Sequence, residues 1–137
     1  MVMPLGRAGP EGIQLLGTCF LLNKNGLWGT TAHVTGNDDK GLAIVLPRIT
    51  QMSEYQDTTD TKVKTLPVSI FKIDPIHDTA VLKADAQGSS NMTISSLDRV
   101  HVGDMIAIFG FPHADRGRMV LTHQLAEIGA RMLLDSL

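Results

Sequence analysis

A histidine and an aspartate stand out by their surroundings. His33 lies in Leu27-Trp-Gly-Thr-Thr-Ala-His-Val-Thr-Gly36, an apolar run that meets a histidine and then a glycine at which the chain can turn away. Asp78 lies in Asp74-Pro-Ile-His-Asp-Thr-Ala-Val-Leu-Lys83, directly before the apolar stretch Thr79 to Leu82. An imidazole changes charge near neutral pH, so it can accept and return protons there. The two residues are far apart in the chain, with several apolar runs between them. Taken alone, His33 also fits a half-buried core histidine.

The elements that must position His33 are legible nearby. Gly17-Thr-Cys-Phe-Leu-Leu22 is a second apolar run rich in strand formers. Asn23-Lys-Asn-Gly26 joins the two runs as a short hairpin connection, in which Asn25 and Gly26 can take positive φ. His33 is therefore expected at the end of the hairpin's second strand, Leu27 to Val34, where a rigid sheet edge can aim its ring.

Along the rest of the chain, Met1 to Gly12 carries Pro4, Gly6, Gly9, Pro10 and Gly12 and reads as a loose arm. Leu42 to Leu46 is a short continuous apolar run, hence a buried strand. Pro47 to Thr65 is polar and aperiodic, as a long surface loop is. Leu66 to Ile73 alternates as a half-buried strand, with Pro67 near its start. Thr79 to Lys83 is the next strand, and Ala84 to Thr93 reads as a connector. Met105 to Phe111, Gly117 to Ala126 and Ala130 to Leu134 are further apolar runs. Only Leu125 to Leu134 has a helical look, weakened by Gly129. About nine short strands with regular turns predict an all-β barrel or sandwich.

The chain has 137 residues, enough for one ordinary domain with a real core. A net charge of −2 with no basic stripe argues against nucleic acid as the main partner. The single cysteine, Cys19, excludes an internal disulfide and reads as a small buried hydrophobe. No charged segment followed by an apolar run opens the chain, and no apolar stretch reaches about 18 residues. These features predict no membrane span and a cytoplasmic protein. Nothing calls for a cofactor.

Four segments together resemble a known family. Thr31-Ala-His-Val34 resembles the histidine motif of chymotrypsin-fold serine peptidases, and Asp78-Thr-Ala-Val-Leu-Lys83 their aspartate motif. Gly17-Thr-Cys-Phe20 resembles the strand before the histidine. Val102-Gly-Asp-Met105 through Gly110-Phe-Pro112 resembles the segment that opens their second barrel. The wording is closest to bacterial HtrA (Do-like) peptidases and covers about Gly17 to Gly129. The resemblance implies a chymotrypsin-like antiparallel β-barrel fold. Its first barrel is complete over residues 13–98, and its second is only partly present over 99–137. It makes His33 the general base and Asp78 the carboxylate that orients it, acting on a polypeptide substrate. Asp74 and His77 compete for the same roles, but the family motif favours Asp78 and leaves His77 a loop residue. His101, His113 and His123 lack metal-ligand spacing, and a metal-binding reading would use His33, His77 and Asp78 instead.

The nucleophile does not fit so well. In the family the order is His, Asp, Ser, with the serine in a Gly-x-Ser-Gly-type turn whose N–H groups also build the oxyanion hole. No Gly-x-Ser-Gly occurs in these 137 residues. Ser89 and Ser90 fall in the linker. Ser136 follows Asp135 but is followed by Leu137 and comes too early, and Cys19 lies upstream of the histidine. The expectation is the N-terminal portion of a trypsin-like serine endopeptidase that is not competent alone. The alternative is a non-catalytic binding or assembly module on the same scaffold. The apolar segments after Met105 supply about half of a six-stranded barrel, whose open edges need covering. The remaining strands are expected from a downstream chain, another copy, or the rest of a longer protein.

Overall fold

The computed structural model describes residues 1–47, 56–57, 63–86, 93–113, 116 and 118–132. Its elements are β1 (Val2–Gly9), β2 (Gly12–Leu21), β3 (Leu27–Thr30), the one-turn helix α1 (Ala32–Thr35) and β4 (Leu42–Leu46). Then come β5 (Gln56–Asp57), β6 (Lys64–Asp74), β7 (Thr79–Ala84), β8 (Met105–Gly110), β9 (Arg118–Met119) and β10 (Thr122–Glu127). Six strands close into an antiparallel barrel in the order β1-β2-β3-β7-β6-β4, with β1 paired to both β2 and β4. β8 pairs with β10, and β5 with β9. This is the expected all-β, chymotrypsin-like architecture: a complete first barrel and part of a second.

Strand alternation builds the core. Leu5, Cys19, Leu21, Trp28, Leu42, Ile44, Val68, Leu82 and Ala84 fill the barrel. Each large side chain so placed contributes roughly 1.5–3 kcal/mol over leaving it in water. The opposite face of β4 is also used. Val45 joins Leu15, Phe111 and Met119 in a second cluster, which docks the segment after the barrel onto the barrel's outer wall. The Phe111 N–H donates to Thr18 Oγ1 at 3.0 Å across the same junction.

Several expectations are corrected. The residues read as a loose arm form β1, the strand that closes the barrel. Pro4 is accommodated because β4 pairs with β1 only from Leu5 to Arg7, so the proline stands on a half-free edge. The barrel therefore starts at Val2 and not at Ile13. β3 stops at Thr30, and His33 rides on α1 and not on a strand. In the turn before β3, Gly26 takes positive φ but Asn25 does not. There the Asn23 side-chain oxygen accepts from the N–H groups of Asn25 and Leu27. Leu125 belongs to β10, and residues 128–132 form neither helix nor strand. Within Pro47 to Thr65, Gln56–Asp57 form β5 and Lys64 opens β6; residues 48–55 and 58–62 lie outside the described residues. So do residues 87–92 of the expected connector and residues 133–137, which include Ser136.

Candidate active site

The β3–β7 register brings the candidate pair together. Leu27 faces Lys83 and Thr30 faces Ala80, so the end of β3 lies beside the start of β7. Thr31 is extended, and the Ala32 N–H donates to the Asp78 carbonyl at 3.2 Å. The chain then makes the single turn of α1 and leaves through Gly36 at φ 62°, whose N–H returns to the Ala32 carbonyl at 2.9 Å. The α1 turn lifts His33 off the sheet and over Asp78.

Asp78 holds His33 at two points. One carboxylate oxygen accepts the His33 backbone N–H at 2.8 Å, and the other lies 2.5 Å from the ring nitrogen Nδ1. An ionised carboxylate only accepts, so the neutral ring carries its proton on Nδ1 and its lone pair on Nε2. The imidazole hydrogen bond, then the backbone one, hold the Asp78 carboxyl below its ordinary value. Asp78 sits at φ 52°, a left-handed conformation costing a non-glycine residue roughly 1 kcal/mol and best tolerated by Asp and Asn. The pair is open to solvent: the side chains are 71% exposed for His33 and 47% for Asp78. A base poised on Nε2, with its tautomer fixed from behind, can take a proton from a hydroxyl and pass it to a leaving group.

Asp74 and His77, the sequence rivals for these roles, pair with each other. His77 Nδ1 lies 2.6 Å from one Asp74 oxygen, and the other accepts the N–H groups of Ile76 at 3.0 Å and His77 at 3.2 Å. The His77 ring and backbone bonds hold the Asp74 carboxyl below its ordinary value. His101 lies near Asp104 at 3.6 Å, and His123 stacks on Phe109 at 5.8 Å between ring centres. Cys19 is buried in the barrel, its thiol 3.4 Å from the Met3 carbonyl and its pKa pushed up to about 12 by burial. It stays a protonated, inert thiol.

Sequence reading missed two supports of the site. Arg7, on the supposed arm, donates to the carbonyls of Thr35, at the end of α1, and of Asp38 and Lys40 in the segment that follows. Nothing local signals that reach. Asp74 as the anchor of the β6–β7 turn was readable from Asp74-Pro75, since an Asp before a proline favours turn initiation.

A family model described as "Trypsin-like peptidase domain" matches residues 17–132. No curated protein matches the chain. Among solved structures, the HtrA-type protease AlgW with decapeptide superposes at TM-score 0.64 and 19% identity, covering 94% of this chain and 42% of that one. The same protease with tripeptide gives TM-score 0.63 and 23% identity, covering 94% of this chain and 36% of that one. A substituted form of it with tripeptide gives 0.62 and 25%, with the same 94% and 36% coverage. This chain thus spans roughly two-fifths of the length of those proteases. With a closed six-stranded barrel and a family match over most of its length, the chain belongs to the trypsin-like peptidase domain family.

Proposed function

We propose that this chain supplies the general base, His33, and its orienting carboxylate, Asp78, to a trypsin-like serine endopeptidase. The two-point hold of Asp78 on His33 carries this reading. A core histidine needs no such hold, and a surface ion pair rarely fixes both the backbone and the ring of one residue. In the reaction, Nε2 takes the proton of an attacking serine hydroxyl and later gives it to the leaving amine. Asp78 keeps the tautomer and stabilises the imidazolium between those steps. The nucleophile and its oxyanion donors come from polypeptide other than these residues, which contain no Gly-x-Ser-Gly.

The second-barrel face supports that division. Met105, Phe109 and Leu125 on one face of the β8–β10 pair, and Ile108 on the other, are each about half exposed or more. Apolar surface of that kind is normally covered, and in this fold the cover is the remaining second-barrel strands. The substrate is a polypeptide, as the peptides carried by the AlgW structures suggest. A second reading keeps the same scaffold as a non-catalytic binding module.

Labelling with a fluorophosphonate probe separates the two. The chain is tested alone and with whatever co-purifies from its source. Labelling of polypeptide outside these residues, on a second chain or on a longer form of this one, lost with His33→Ala, is the expected result. No labelling in either sample means the binding module. Labelling within these 137 residues overturns the division of the catalytic groups.

A further inference from the structure

We infer that Asp74 is a positioning residue for the His33–Asp78 pair, fixing the turn from which Asp78 reaches His33. The inference rests on the peptidase reading only for its bearing on turnover. Asp74 is the last residue of β6 and pairs across the sheet with Thr79, the first of β7. Residues 75–78 make the connection between them. Three bonds run from the Asp74 carboxylate into that connection: to the Ile76 N–H, the His77 N–H and the His77 ring.

Among the described residues, no other side chain bonds to the backbone of this connection. Ile76 is 73% exposed, and the His77 side chain is 76% exposed, so the segment is not packed into a core. Pro75 fixes one φ. Asp78 ends the connection in a left-handed conformation, and among the described residues it is the only non-glycine residue with positive φ. That conformation lets the Asp78 carbonyl accept from Ala32 while its carboxylate faces His33. Side-chain acceptors that cap the amides two and three residues on are the Asx-type device by which Asp and Asn fix turns. Here the capped turn ends on the residue that grips the base.

The test is a carbon-13 NMR titration of the Asp78 carboxyl in this chain, with hydrogen exchange at the His33 amide. Asp74→Asn keeps an acceptor for the turn amides, whereas Asp74→Ala removes it. Asp74→Glu moves it one methylene away and serves if the alanine variant does not fold. In the alanine and glutamate variants the Asp78 titration is expected to rise toward the ordinary value of about 3.9. His33 amide protection should fall with it. The asparagine variant should keep the amide protection, with the Asp78 titration unchanged or lower. Removing a nearby negative charge alone would lower the Asp78 value, so the sign separates lost positioning from lost charge. An unchanged or lowered Asp78 titration in the alanine or glutamate variant overturns the inference. The titration needs no turnover, so an inactive assembly counts against the peptidase reading and leaves Asp74 untouched.

Discussion

Asp78 grips His33 through both carboxylate oxygens, one on the backbone N–H at 2.8 Å and one beside Nδ1 at 2.5 Å. The two contacts do different work. The first sets where α1 begins, and the second sets which ring nitrogen carries the proton. Asp78→Asn separates them. Its oxygen can still take the backbone N–H, but its amide NH2 donates to Nδ1 and forces the proton to Nε2. The expected outcome is a tautomer switch seen by nitrogen-15 NMR of this chain, with the barrel intact. On the proposed peptidase reading, turnover should fall on the order of 10⁴-fold, as the matching change does in a chymotrypsin-fold enzyme.

The pH dependence of the site follows from the lowered carboxyls of Asp78 and Asp74. A carboxyl whose folded value lies below its unfolded value, about 3.9, stabilises fully above that pH and stops doing so as pH falls through the folded value. Protection of the His33 amide should therefore hold on the alkaline side of about pH 4 and fall away in more acid solution. Both carboxyls are exposed, so the midpoint of global unfolding should move little over the same range. Hydrogen exchange and urea titration measure the two separately.

Leu5 is fully buried on the strand that closes the barrel. Leu5→Ala should cost about 2–5 kcal/mol, read as a lower urea midpoint. A cost below ~1 kcal/mol would mean that β1 does not close the barrel in solution.

Gly26 sits at φ 85°, where an added Cβ would run into the carbonyl oxygens of Ala84 and Ala86. Its own carbonyl accepts the Ala84 N–H at 2.8 Å, tying the hairpin to the end of β7. Gly26→Ala should destabilise by at least ~1 kcal/mol. Unchanged stability would show that the turn relaxes freely.

Phe109 and Leu125 present apolar side chains on the β8–β10 pair, 49% and 64% exposed. Replacing both with serine should lower binding of an apolar dye and reduce self-association in light scattering. The barrel should keep its denaturation midpoint, because neither side chain belongs to either buried cluster.

Much of the barrel was legible because strand alternation is a local signal. β6 shows it within a few residues, and β2, β4 and β7 show as short apolar runs. β1 was not, because Pro4, Gly6 and Gly9 look like breakers. What makes Val2 to Gly9 a strand is its pairing along its whole length with β2 and, from Leu5 to Arg7, with Leu42 to Ile44 far along the chain. α1 was invisible for another reason: one turn is too short to show a 3.6-residue period. His33 and Asp78 could be matched by their motifs, and the structure brings them into contact. The Asp74–His77 pair and the Arg7 clamp depend on side-chain reach, which spacing alone does not reveal.

The strand order of the barrel also sets a schedule. His33 and Asp78 are 45 positions apart, and Lys83 at the far end of β7 reaches the Asn25 carbonyl 58 positions back. Contacts this distant in sequence form only after large loops have closed, which is why such β-topologies fold in milliseconds to seconds. No segment emerging early in synthesis contains the pair. It exists only in molecules whose β3 and β7 have already met, so a half-folded chain carries no oriented base.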